Sequence, residues 1–314
     1  MKRIISVFMI VLITITLLTS CSNKALEDYS NAVTKINYEK MGKESIDIKI
    51  NIDYNTDGLT LEQTRKLNYY KEMIFHINNQ YDMEKDKIAT DIYMNLGGIG
   101  MDSYFYKDGD KEYIQIPVLK KYIHLNKQKF ITDKYSNIFK SMSNKWLEAL
   151  EDEDVIKGEN TIIDTEDGQI KAKKVTIKIN KQQLKELSEE FIKIICDSVF
   201  IEDFNSVINI DEDQKDINKE DIIKSIKDTF YNISFENFEA KAYIDFDGYL
   251  IRENMTIEIK TVKQIKGEPM SIRVSFDKSN WDIGKKQEIK IPKFTQDDII
   301  SIDELKDVED IIGL

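Results

Sequence analysis

Apolar and polar residues alternate one for one from Ser45 onward: Ile46, Ile48, Ile50, Ile52 and Tyr54 occupy one parity, and Asp47, Lys49, Asn51 and Asp53 the other. A period of two is the mark of a β-strand with one buried face and one wet face. Met73, Phe75 and Ile77 continue the pattern after a turn. Ile88, Ile92 and Met94 form a third strand, Tyr104 and Tyr106 a fourth, Tyr113, Ile114 and Ile116 a fifth, and Tyr122 with Leu125 a sixth. Shorter strands are expected near 161–163 and 175–179. Alternation returns over 240–246, 251–262 and 270–276, and Ile289, Ile291, Pro292 and Phe294 close it. Asp-Gly stands at 57–58, 108–109, 167–168 and 247–248. That pair favours two-residue hairpins, whose central residues both need positive φ, so the strands should follow one another as an antiparallel meander.

Elsewhere the apolar spacing becomes helical. Leu26, Tyr29, Val33 and Ile36 recur at steps of three and four, as do Ile131, Tyr135, Phe139, Met142, Trp146 and Leu150 ahead of the acidic run Glu151 to Asp154. Asn180, whose side chain can accept from a free backbone N–H, should cap a helix through Leu184, Leu187, Phe191 and Ile195. Asn218 stands in the same relation to Ile222, Ile223, Ile226 and Phe230, beyond a polar loop around 211–216. The tail from Asp303 to Leu314 is acidic and weakly helical. No linker, composition shift or repeat of fixed period divides the chain, so residues 25–314 read as a single domain.

The first residues follow neither period. Met1-Lys2-Arg3 is positive, Ile4 to Leu18 is almost wholly apolar, and small residues lead to a cysteine, the layout of a secretory signal. An apolar run of about 15 residues is too short to cross a hydrocarbon core of roughly 30 Å comfortably. Leu18-Thr19-Ser20-Cys21 resembles the lipobox of bacterial lipoproteins. The resemblance implies that residues 1–20 are removed, that Cys21 carries diacylglycerol, and that the chain is lipid-anchored at the extracellular face of the cell membrane. A soluble secreted protein and a retained anchor are the alternatives. Two acyl chains hold a protein on a membrane where one would do so only marginally. Residues 21–24 then form the lipidated N-terminus and a tether of about 10 Å.

Charge narrows the partners. The chain carries 45 Lys and Arg against 57 Asp and Glu, a formal net charge of −12. Residues 1–20 hold Lys2, Arg3 and no acid, so the mature chain is more negative still. Phosphate backbones repel such a protein, and nucleic acid is not an expected partner. With Cys21 lipidated, Cys196 has no partner for an intramolecular disulfide and reads as a buried, inert thiol.

A second resemblance rests on Tyr106-Lys107-Asp108-Gly109-Asp110-Lys111-Glu112-Tyr113-Ile114-Gln115-Ile116-Pro117, on Ile244-Asp245-Phe246-Asp247-Gly248-Tyr249-Leu250-Ile251 and on Ile289-Lys290-Ile291-Pro292. These are similar to the hairpin and the C-terminal strands of the LolA/LppX-like lipoproteins and lipid carriers, whose Gram-positive members mostly have no assigned activity. The resemblance implies an α+β fold in which a large curved antiparallel sheet, an unclosed half-barrel, wraps around inserted α-helices. It also implies an apolar cavity between the layers.

Catalytic and metal-binding patterns are weak. Asp53 to Gly58 matches the first six positions of a calcium loop, yet position twelve is Thr64, Glu62 falls at ten, and a strand precedes it; a polar turn is the better reading. His76 and His124 are the only histidines, and neither has a ligand partner at zinc spacing. Acid pairs such as Glu189-Glu190 and Asp297-Asp298 read as solvated faces. Gly97-Gly98-Ile99-Gly100 lacks the Lys and Ser/Thr of a phosphate loop and reads as a flexible strand connection. No cofactor and no catalysis are expected. If one sheet face carries Ile48, Ile50, Met73, Phe75, Ile92, Met94, Ile257 and Ile259, then any part the helices leave uncovered becomes a pocket suited to acyl chains. Ordinary core packing accounts for the same residues. The expected function is therefore a non-catalytic lipoprotein that binds or shuttles a lipid. The alternative is an envelope module with a filled core that binds another protein.

Overall fold

In the computed structural model, which describes residues 24–116, 119–124, 132–197, 224, 232–263 and 265–300, the alternating segments form twelve strands. They are β1 (Met41–Tyr54), β2 (Glu72–Asp82), β3 (Lys87–Leu96), β4 (Ile99–Asp108), β5 (Lys111–Ile116), β6 (Lys121–His124), β7 (Val155–Thr165), β8 (Gly168–Ile177), β9 (Ile233–Ile244), β10 (Leu250–Thr261), β11 (Pro269–Trp281) and β12 (Ile299–Ile300). All belong to one sheet in the order β12-β6-β5-β4-β3-β2-β1-β11-β10-β9-β8-β7. Two meanders, β1 to β6 and β7 to β11, meet where β1 pairs with β11, setting Ile48 opposite Phe276 and Ile50 opposite Val274. Pairing is antiparallel throughout except between β12 and β6, and the sheet is not closed. Among the described residues four helices accompany it: α1 (Lys24–Asn37), α2 (Leu61–Asn68), α3 (Thr132–Ala149) and α4 (Lys181–Asp197). The expectation of an unclosed antiparallel sheet with inserted helices holds at this level. The leader 1–20, Cys21, Leu125, the loop 211–216, the helix expected after Asn218, the tail from Asp303 and the Cys196 side chain lie outside the described residues.

Asn180 caps α4 as expected, its Oδ1 accepting from the backbone N–H groups of Gln182 (2.9 Å) and Gln183 (3.0 Å). The turns work differently from their sequence reading. Asp108 pairs with Lys111, so the β4–β5 loop is Gly109-Asp110, and only the glycine takes positive φ (+61°). The turn with two positive-φ residues is Gly97-Gly98 (+62° and +85°), joining Leu96 to its ladder partner Ile99. What reads as a flexible connection is thus a tight two-residue hairpin. Asp57-Gly58 does not turn β1 directly into β2; the chain first makes α2. Thr60 and Gln63 start that helix with a reciprocal capping box. Residues 286–295 form no strand, although the alternation of Ile289, Ile291 and Phe294 suggests one. Pro292 has no N–H to give a ladder, and the run instead ends with Phe294 against Tyr113 (4.2 Å between centroids), Tyr122 (4.6 Å) and Tyr106 (6.0 Å). Phe139, expected on the buried stripe of α3, is exposed.

Register assigns every inward residue to one face. Phe238, Ile257, Val274, Ile50, Met73 and Leu96 are successive partners across β9, β10, β11, β1, β2 and β3. The next row runs Ala240, Met255, Phe276, Ile48, Phe75, Met94 and Met101. This helix face packs α1, α3 and α4 at the β7–β10 end. Small side chains allow the approach: Ala25 and Ala32 of α1 and Ala240 and Ala242 of β9 are all sealed in one core cluster with Val155, Ile177 and Ile244. Tyr106, Tyr113 and Tyr122 have the opposite parity, so the run ending at Phe294 crosses the outer face.

Candidate ligand cavity

Between α1, α3, α4 and the sheet lies a cavity of about 320 Å³. Its apolar wall comes from Val33 and Ile36 of α1, Met142 and Trp146 of α3, Leu184, Leu187 and Phe191 of α4, and Phe238, Met255 and Ile257 of the sheet. The helices place these by the three- and four-residue spacing visible in the sequence. Trp146 packs its ring on Phe238 at 5.5 Å and 55°.

Of the eight sequence-derived lining candidates, Ile257 borders this cavity. Ile259 packs against the core cluster. Ile48, Ile50, Met73, Phe75, Ile92 and Met94 share the helix face but lie farther along the sheet, each half-buried. The structure therefore brings all eight onto one surface and only one to the cavity itself.

The polar residues at one end of the cavity are not among those candidates. Tyr29 Oη donates to Glu253 Oε1 at 2.7 Å and accepts from Trp146 Nε1 at 2.9 Å. Lys278, on β11 opposite Glu253, is ion-paired with Glu44 of β1 at 2.6 Å. Asn79 Nδ2 donates to the other Glu44 oxygen at 3.1 Å, and Thr90 Oγ1 donates to Asn79 Oδ1 at 3.0 Å. A polar line thus crosses the helix face from α3 to β3. Burial pushes the Glu253 carboxyl above its ordinary value, against the opposing pull of the Tyr29 hydroxyl and the Lys278 charge. Burial acts the same way on Glu44, but the Lys278 ammonium and the Asn79 amide outweigh it, and the Glu44 carboxyl is held below its ordinary value. Burial and the Glu253 carboxylate raise Tyr29 well above the usual phenol range. One signal could have found these residues. Glu253 continues the inward parity of Met255, Ile257 and Ile259, Lys278 that of Ile272, Val274 and Phe276, and Glu44 that of Ile46 and Ile48. A charge on an apolar parity needs a partner, because an unpaired buried charge is costly.

The other chemistry-bearing residues are engaged locally. His76 bonds Asp47 and stacks on Tyr93 (5.6 Å); His124 stacks on Tyr113 (4.9 Å). In the Asp53–Gly58 loop, Asn55 Oδ1 accepts from the Asp57 N–H at 3.2 Å, Asp53 accepts from Ser271 at 3.0 Å, and Glu62 pairs with Lys66 at 3.2 Å. Among the described residues no group of three or more His, Cys, Asp or Glu is placed to hold a metal ion, and no helix is long and apolar enough to cross a membrane. Compared with known proteins, the chain matches no family model and no curated protein.

Proposed function

We propose that this protein is a non-catalytic lipoprotein, anchored through Cys21 at the extracellular face of the cell membrane, whose cavity between helices and sheet binds or carries a lipid. The observation that carries this reading is the cavity itself. Its volume of about 320 Å³ falls within the roughly 300 to 1,000 Å³ common for ligand sites, and its wall is mostly apolar, as acyl chains require. The half-buried rows from Phe276 and Ile48 to Met94 extend the same apolar surface along the sheet. The lipobox-like Leu18-Thr19-Ser20-Cys21 supports placement at a membrane, and an unclosed antiparallel sheet with helices agrees with the coarse architecture that the LolA/LppX-like resemblance implies.

Residues 22–314, which keep every described element, should carry a co-purifying lipid when expressed in cells and analysed by native mass spectrometry. A protein of bare mass that also fails to bind the neutral apolar dye N-phenyl-1-naphthylamine would sink the carrier reading. It would move the assignment to an envelope interaction module with a filled core.

A further inference from the structure

The polar end of the cavity constrains what kind of molecule can occupy it, given the carrier reading. Among the described residues bordering the cavity Lys278 is the only cation, and its ammonium is bound to Glu44 at 2.6 Å. Most of the other side-chain donors there are also engaged. Tyr29 donates to Glu253, Asn280 Nδ2 to the Leu250 carbonyl at 2.9 Å, Asn37 Nδ2 to Ser143 at 2.8 Å, and Ser188 Oγ to the Leu184 carbonyl at 2.7 Å. Glu253 differs. Its Oε1 accepts from Tyr29, while Oε2 has no hydrogen-bond partner among the described residues and is not one of the atoms sealed away inside the protein. Among the described residues the cavity therefore offers an open acceptor and no unpaired cation.

We infer that the ligand is an apolar chain ending in a neutral hydrogen-bond donor, a hydroxyl held by Glu253, and not in a carboxylate or phosphate. A carboxylate beside Glu253 would bring a third acid to a site whose described ammonium is already paired with Glu44, and burying it there without a partner is costly. A hydroxyl both satisfies Oε2 and leaves the charge balance unchanged. The room matches a short chain: at about 30 Å³ for a group the size of a water, 320 Å³ holds roughly ten such groups. Neutral membrane lipids with a free hydroxyl, as well as simple long-chain alcohols, present this chemistry.

The test uses mature chain 21–314 carrying Cys21→Ser, so that no acyl group of its own competes, loaded with N-phenyl-1-naphthylamine. 1-Decanol should displace the dye at a concentration at least about tenfold below that needed by decanoate or decyl phosphate at neutral pH, because an unpaired buried charge costs more than a factor of ten in affinity. Glu253→Gln, which keeps an acceptor for Tyr29 but removes the acid, should narrow that ratio severalfold. A purely structural role for Glu253 would change all three affinities together. Decanoate or decyl phosphate displacing the dye as well as decanol, or a ratio unchanged in Glu253→Gln, overturns the hydroxyl assignment while leaving the cavity intact. The wild-type ranking decides even if Glu253→Gln does not fold. Failure of the dye and all three chains to bind removes the carrier reading and this inference with it.

Discussion

The two meanders carry the same alternation and meet different fates. In β7 to β10, helices α1, α3 and α4 lie on the inward parity, and Val155, Ile177, Ala240 and Ala242 are fully sealed while Ile244 is 2% exposed. In β1 to β4 the inward Ile46, Ile48, Ile50, Ile52, Ile77 and Ile92, with Met73 and Phe75, are only half-buried, while Ile88 and Phe105 at the far end are buried. There the outer face receives the cover, from the segment carrying Phe294 over Tyr106, Tyr113 and Tyr122. Alternation marks which side chains share a face; it does not say whether anything packs on that face. The cavity and the polar line Trp146, Tyr29, Glu253, Lys278, Glu44 sit where the helix cover gives way.

Truncation should expose the contrast most strongly. Ile244→Ala in the sealed half should lower unfolding free energy by about 2–5 kcal/mol, because the cavity it leaves cannot collapse. Phe75→Ala should cost less than about 2 kcal/mol, since a half-buried ring has less contact to lose. Equal losses in denaturant titrations would mean that the two halves are packed alike.

Gly97→Ala probes the hinge of the less covered half. A Cβ there would lie 2.2 Å from the Tyr69 carbonyl oxygen, on a residue at φ +62°. Strain and collision together should destabilise by about 1–3 kcal/mol. Gly98→Ala, with nothing near its Cβ, should cost only the positive-φ part. If the two substitutions gave the same Tm, the close approach to Tyr69 would not matter.

The smallest effect lies at the boundary and is read through pH. Glu253 has a folded-state value above its ordinary 4.5, so the folded state holds this proton more tightly than the unfolded state. Its penalty is absent at low pH and grows as pH rises from 4.5 through the raised value. Glu253→Gln should thus raise Tm by a few degrees at neutral pH and give no gain below pH 4.5. Glu44 has the opposite sign. Its value is lowered from 4.5, so its contribution is full above 4.5 and lost as pH falls through the lowered value. A Glu253→Gln gain that is independent of pH would show that burial of the acid is not its cause.

Much of this was legible beforehand. The strands around Ile48, Phe75, Met94, Tyr106 and Tyr113 announce themselves by period two, and α1, α3 and α4 by their spacing and, for α4, by the Asn180 cap. Thr60-Leu61-Glu62-Gln63 carried a readable capping signal for α2. The strand suggested at 289–294 was misread because alternation alone lacks the partner that makes a ladder. Glu253, Lys278 and Glu44 were legible as charges on an apolar parity, but not as a cluster.

The reason is the range over which each property is determined. Period, cap and turn are set by neighbours within a few residues, so the chain by itself determines two-faced strands, amphipathic helices and their order. The pairing of β1 with β11 joins Glu44 to a ladder partner, Asn280, more than two hundred residues away. Only that long-range register could bring Tyr29, Glu253, Lys278 and Glu44 to one place. It also decided which part of a largely apolar face would be sealed and where a cavity would remain.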